Sequence, residues 1–292
     1  MPPVVMNVND QADRISDRDF RRLTELIGTE CGMAVVPAKR VMIETRLRKR
    51  VRALGLESFA AYCRYLDTPE GNQQEWPNVI DAVTTHKTDF FREPSHFEFV
   101  VDQALPELAR MCGAGIRRPL LVWSAACSTG EEPYTLAMVL SRYAESVTPE
   151  NYQFRIEASD ISAAVLETAR AGIYPEPALR PVPEPLRRKY VLRSKDRVRA
   201  LLRMTPEVRA CVQFRQLNLM EGNYGFTEPF DIVLCRNVMI YFERPMQQKI
   251  LHRISLTLRP GGYLLMGHSE SLNGLDLPLA QVAPTVYRRH NG

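Results

Sequence analysis

The sequence has no C-x-x-C pair. Its six cysteines, Cys31, Cys63, Cys112, Cys127, Cys211 and Cys235, are scattered over 292 residues. That spacing excludes a zinc ribbon or finger, and a thiol inside an apolar run, such as Cys235 in IVLC, reads as buried in a reducing compartment. No apolar run approaches the ~20 residues needed to cross a bilayer. The opening MPPVVMNVND lacks the charged-then-apolar order of a leader. These absences predict a cytoplasmic protein with no direct membrane insertion. Internal repeats and low-complexity tracts are missing, which excludes a solenoid. Net charge is small, with 38 Lys and Arg against 34 Asp and Glu. No aromatic-studded basic surface is evident, so nucleic acid is not the expected partner. No nucleophile or metal motif stands out, and no metal is expected. What remains is an ordinary globular composition, 45% hydrophobic and 25% charged, long enough for one large domain or two smaller ones.

The charge is unevenly placed. Arg46, Arg48, Lys49, Arg50 and Arg52 crowd one segment, and Arg187, Arg188, Lys189, Arg193, Lys195, Arg197, Arg199 and Arg203 another. Such clusters favour an acidic partner, or are simply solvated faces. The first of them lies in a helical region. Ser16 and Asp19 resemble a capping box with Ile15 stapled to Phe20, and Phe20, Leu23 and Ile27 follow at helical spacing. Gly28 or Gly32 ends that helix. Residues 39–54 predict a second helix, with Ile43, Leu47, Val51 and Leu54 on one stripe and Gly55 as the stop. Residues 58–66, 79–85 and 93–110 predict three more.

After residue 115 strands and helices alternate. LLVWSA (120–125), FRIEAS (154–159), VQFRQL (212–217), DIVLC (231–235), YLLMG (263–267) and TVYRR (285–289) read as strands. Helices are expected from Glu131 or Glu132, over 162–171, and over 246–258 before Pro260-Gly261-Gly262. This pattern predicts a doubly wound α/β sheet. Residues 173–210, rich in proline and then in arginine, interrupt it and read as an insertion on the sheet edge.

In such sheets ligands bind beyond the carboxyl ends of the strands. The first end, Ser124 to Glu132, has small side chains that let a ligand approach the backbone. Its single glycine makes a poor dinucleotide fingerprint. Glu131 and Glu132 would repel a pyrophosphate and suit a cationic ligand with hydroxyls or an amine, or else they only favour a first helical turn. Asp160 closes the second strand, where it either holds ribose hydroxyls or caps a helix. Arg236 and Asn237 interrupt an apolar run and need partners if buried. Asn218 ends a further strand, facing a ligand or making a turn. Residues 84–93, TTHKTDFFRE, read as a ligand-facing wall or as a linker with an aromatic anchor.

Together, TTHKTDFFRE, WSAACSTGEEPYTLAM, ASDIS, CRNVMIYF, LRPGGYLLMGHSES and the early RLRKRVRALGL resemble the CheR-type chemotaxis receptor methyltransferases, in the right order over residues 17–288. The resemblance implies a class I S-adenosylmethionine-dependent methyltransferase domain, a Rossmann-like doubly wound sheet, over 93–292. It also implies an N-terminal all-helical receptor-docking domain and linker over 1–92, and a small inserted β-rich subdomain at about 173–211. By position it implies cofactor contacts from Thr88 and Arg92 with His86 nearby. Glu131 falls at the amino-acid part, Asp160 at the ribose, Asn218 and Leu219 beside the adenine, and Arg236 and Asn237 near the methyl donor. The acceptor it implies is a glutamate of a methyl-accepting chemotaxis receptor, and a monomer is expected. A glutamate carboxylate, with a reference pKa of about 4.3, is ionised at neutral pH and needs no general base. The enzyme's task is then to hold the partners in line and exclude water, with Tyr241 and Arg92 orienting carboxylate or sulfonium. Arg46, Lys49, Arg50 and Arg52 are expected to dock on the acidic receptor bundle.

Overall fold

The computed structural model describes residues 14–147, 152–194 and 200–290. They fall into two compact units that meet in sequence at Thr85 and His86, not at the expected 92/93. Residues 86–93 belong with the second unit because Phe90 is buried in its core and the Phe91 amide donates to Thr135 Oγ1 at 3.2 Å.

The first unit is helical: α1 (Asp17–Cys31), α2 (Arg40–Ala53), α3 (Phe59–Leu66) and α4 (Pro69–Val83). Ser16 Oγ accepts from the Asp19 amide at 3.1 Å and donates to the Asp19 carboxylate at 2.7 Å. Gly32, at φ 68°, rather than Gly28, ends α1. α4 starts ten residues before the expected 79. Gly71, Asn72 and Pro77 are poor helix formers, but Thr68 caps the start, Pro69 opens the first turn, and Glu75, Val79, Ile80 and Val83 make a buried face that outweighs propensity. Gly71 is required there: a Cβ would lie 1.9 Å from the Tyr65 carbonyl oxygen.

The arginines of α2 divide by role. Glu75, only 2% exposed, receives the Arg50 guanidinium as a fork (2.7 and 2.9 Å), the Tyr62 hydroxyl (3.1 Å) and the Asn78 amide (3.1 Å). Arg46 donates to the carbonyls of Ala82 (3.0 Å) and Thr84 (2.6 Å), satisfying the end of α4. Lys49 and Arg52 are exposed.

The second unit opens with α5 (Ser95–Phe99), a π turn (Val100–Ala104) and α6 (Leu105–Cys112). The helix expected over 93–110 is present as this continuous run, with a π turn inside it. Pro106 would collide with the carbonyl four residues back, and the backbone widens just before it. The sheet contains β1 (Leu120–Ala125), β2 (Phe154–Asp160), β6 (Val212–Gln216), β7 (Phe230–Cys235), β8 (Leu258–Met266), β9 (Leu279–Ala283) and β10 (Val286–Arg289). Their order is β6-β2-β1-β7-β8-β10-β9, with β10 antiparallel to both neighbours and the rest parallel. β9, largely exposed, was not foreseen, and Pro260-Gly261-Gly262 lies inside β8 instead of in a loop after the helix.

Helices cover both faces: α7 (Glu131–Val147) and α8 (Ala163–Ala171) on one, α11 (Arg244–Thr257) on the other. β1 shows the alternation, Leu120 and Val122 entering the first core and Leu121, Trp123 and Ala125 the second. The chain reverses direction across the sheet between β1 and β7, the switch point where such folds bind ligands. The insertion holds β3 (Ile173–Pro175), β4 (Val191–Arg193) and β5 (Leu201–Met204), a three-stranded antiparallel sheet ordered β3-β5-β4, with α9 (Glu184–Tyr190) and α10 (Pro206–Ala210) beside it in sequence. Of its basic cluster, Lys195, Arg197 and Arg199 lie outside the described residues. Arg188, Lys189 and Arg193 form exposed ion pairs with Glu184, Glu145 and Glu176, which blunts that patch as an anion site.

Candidate active site at the switch point

The turn after β1 is held open by unusual backbone. Ala126 and Ser128 have φ of 58° and 51°, and Gly130 has 97°. A Cβ on Gly130 would meet Ala169 and Tyr174 at 2.9 Å, so only glycine permits α7 to start there. Five of the seven non-glycine residues with positive φ among the described residues are Phe91, Glu93, Ala126, Ser128 and Asn237. Strain of about 1–3 kcal/mol each, gathered in this way, is typical of a functional site.

Asp160 ends β2. Its carboxylate accepts the Ser128 amide at 2.8 Å and the Ser162 amide at 3.0 Å. Ser162 Oγ caps α8 by accepting from the Val165 amide at 3.2 Å, so the capping role falls to Ser162. Burial pushes the Asp160 carboxyl up, against these amide bonds and the neighbouring His86. Ser128 Oγ in turn donates to the His86 carbonyl at 3.0 Å, joining residue 86, the β1 turn and Asp160. Glu131, also buried, accepts the Thr129 hydroxyl at 2.6 Å, and burial raises its pKa. The Leu217 amide donates to the Asp160 carbonyl at 2.9 Å. That bond sets Asn218 and Leu219 immediately beyond the end of β6, beside β2, where Asn218 Oδ1 accepts the Met220 amide at 3.0 Å.

Arg236 and Asn237 form the other wall, beyond β7. Arg236 is 6% exposed, and its guanidinium binds Glu132 at 3.0 Å, Glu93 at 3.0 Å and the Arg92 carbonyl. Glu132 also accepts the Ser124 hydroxyl at 2.7 Å. The two adjacent glutamates thus differ: Glu132 neutralises Arg236, and Glu131 does not. Arg236 holds Glu93 below the usual carboxylate range against the effect of burial. Asn237 takes φ 58°, donates its amide to Glu270 at 2.7 Å and its side chain to Glu93 at 3.3 Å. Glu270 also accepts the Met239 and Gly267 amides at 2.7 and 2.8 Å, tying the ends of β7 and β8 together. Gly267 must be glycine, since a Cβ would sit 2.4 Å from Asn237 Nδ2.

Arg92 is half-buried and donates to the Lys87 carbonyl at 3.0 Å. Thr88 is half-buried between them in sequence, and Tyr241, half-buried, closes the turn after β7. The structure therefore brings His86, Asp160, Arg236 and Asn237 into bonded networks around neighbouring strand ends, with Glu131 at the head of α7. Arg46, Lys49, Arg50 and Arg52 belong to the other unit. Sequence reasoning missed Glu93, Ser128 and Glu270. Each stood within a segment already singled out, and for Glu270 a carboxylate just past the end of β8 was the available signal.

The family profile "CheR methyltransferase, SAM binding domain" matches residues 86–287, and "CheR methyltransferase, all-alpha domain" matches residues 18–84. Chemotaxis protein methyltransferase 2 of Pseudomonas aeruginosa is 39% identical over 269 residues, covering 92% of this chain and 92% of the relative. The chemotaxis protein methyltransferase of Escherichia coli is 39% identical over 275 residues, covering 94% and 91%. That of Borreliella burgdorferi is 35% identical over 288 residues, covering 98% and 97%. With both of its parts matched and near-full-length relatives at this identity, the chain belongs to the CheR family of S-adenosylmethionine-dependent methyltransferases.

Proposed function

We propose that this methyltransferase moves the methyl group of S-adenosylmethionine to glutamate side chains of methyl-accepting chemotaxis receptors in the cytoplasm, giving glutamyl methyl esters for sensory adaptation. The observation that carries the reading is Asp160, a buried carboxylate fixed by two backbone amides at the end of β2, where Rossmann-like folds bind ribose. The acceptor is supported by the relatives' names, which speak of chemotaxis and state no substrate.

In this reading Asp160 accepts both ribose hydroxyls, and Glu131 meets the amino-acid end of the cofactor. His86, Thr88 and Arg92 line the same cleft, with Asn218 and Leu219 beside the adenine. The bound cofactor supplies an electrophilic methyl group on a sulfonium. Arg236 and Asn237 lie near it, and the charge of Arg236 is more than matched by Glu93 and Glu132, so a sulfonium there meets no net repulsion. Tyr241 and Arg92 orient the incoming glutamate carboxylate, which attacks in line without a base.

Two predictions arise from this site and from α2. Cofactor binding needs Asp160 and Glu131 ionised, yet burial raises both above their ordinary values of 3.8 and 4.5. Affinity is therefore full above the raised values and is lost as pH falls through them, with proton release on binding. For folding the sign is opposite, because raised carboxyls favour the folded, cofactor-free protein in acid. Calorimetry from about pH 7.5 to about pH 4 will show affinity falling on acidification. A flat profile would refute these roles. The double reversal Lys49→Glu with Arg52→Glu, both exposed, is expected to lower receptor methylation about tenfold while cofactor affinity stays unchanged, from about 0.7 kcal/mol per rim charge. Methylation at the wild-type rate would remove α2 as the docking element.

A further inference from the structure

His96, on α5, is 2% exposed, and its two ring nitrogens have different fates. Nε2 lies 2.8 Å from Thr285 Oγ1. With the Thr285 hydroxyl donated to the Pro284 carbonyl, 2.8 Å away, Thr285 offers a lone pair, and in that tautomer Nε2 carries the ring proton. Nδ1 is then a bare lone pair, buried and without a hydrogen-bond partner. It faces the Glu93 carboxylate at 3.5 Å, on the oxygen that also binds Arg236 at 3.0 Å, and two acceptors held face to face repel unless a proton or a metal ion lies between them.

His268, in the turn after β8, completes the group. Its ring centroid is 5.0 Å from that of His96, edge to face, and its side chain is exposed, with Nε2 3.5 Å from Ser95 Oγ. One ligand atom from each of Glu93, His96 and His268 lies within 4.8 Å of the other two. The cleft that His96 and His268 border, about 310 Å³, is also lined by Glu98 and Asp102, which add negative charge. In a tetrahedral site with bonds of about 2.0–2.1 Å, ligand atoms stand about 3.3 Å apart. The Glu93–His96 pair is already near that spacing, and a small rotation of His268 closes the third edge.

We propose that Glu93, His96 and His268 bind a divalent transition-metal ion of the zinc class, with its fourth position open to the cleft. Two imidazoles and a carboxylate suit such an ion better than calcium or magnesium. No motif announces the site in the sequence, because its ligands come from a helix start and from the end of a distant strand. Since Glu93 is also an anchor of Arg236, the ion would act directly on the wall of the cofactor cleft.

The probe is Co²⁺, titrated into the full-length, chelator-treated protein and followed by visible d–d absorption. The expected result is a saturable band at one equivalent, displaced by Zn²⁺ and abolished in His268→Ala, whose exposed side chain leaves the thermal melt unchanged. A titration without a saturable band overturns the proposal, and so does a band that persists in His268→Ala. His96→Gln is a second variant, read by the same band, and its folding is checked by circular dichroism.

Discussion

Replacing Asp160 with asparagine is expected to weaken S-adenosylmethionine binding at least about 100-fold, the worth of two charge-assisted hydrogen bonds at about 1.5–3 kcal/mol each. The substitution is nearly isosteric, but its chemistry is wrong on both sides of the carboxylate. Ser128 and Ser162 each donate an amide to a different oxygen of Asp160. An asparagine amide has one oxygen, so one backbone donor would face another donor. The turn that carries Ser128 at φ 51° would lose the anchor that holds it in that conformation. Calorimetry reads the affinity, and the thermal midpoint without cofactor reads the loosened turn. Cofactor affinity equal to wild type would refute the ribose role of Asp160.

Arg50→Ala is expected to destabilise the helical unit by about 2–3 kcal/mol. Breaking a buried ion pair from one side costs about 3–5 kcal/mol. Here the guanidinium is 34% exposed and Glu75 keeps Tyr62 and Asn78 as donors, which places the effect below that range. Urea unfolding followed by tryptophan fluorescence measures it, because Trp76 adjoins Glu75 in sequence. Arg50→Lys is expected to fall between, since an ammonium keeps the charge but not the two-pronged geometry. An unchanged midpoint in Arg50→Ala would show that Glu75 does not depend on this partner. The same geometry makes Arg46 and Arg50 poor choices for a docking test: reversing either attacks the fold of the unit itself, whereas Lys49 and Arg52 are exposed.

The arginines of α2 mark where sequence reading stops. Five basic residues in one segment read as a surface patch, and nothing in their spacing reveals that Arg50 meets a glutamate 25 positions later. Long-range pairing hid the second wall of the site too. That Arg236 and Asn237 would need partners was legible from their place in an apolar run. That the partners would be Glu93, Glu132 and Glu270 was not, because those bonds span from 33 to 144 positions. Asp160 and the 126–130 turn were legible because local rules suffice: apolar strands, small residues, then an acid at a strand end. The start of α4 was hidden by glycine and proline, whose helix penalties are local while the burial that overrides them is tertiary. The boundary at residue 86 depended on where Phe90 packs, which no local pattern reports.

The central claim is that the methyl group ends on a carboxylate. Receptor-bearing membranes incubated with the protein and methyl-labelled S-adenosylmethionine test it directly. The account predicts label on receptor glutamates that is released as methanol in alkali, and its loss in Asp160→Asn. Alkali-stable label, as an N-methyl group would give, or label on a nucleic acid in place of receptor, would contradict it.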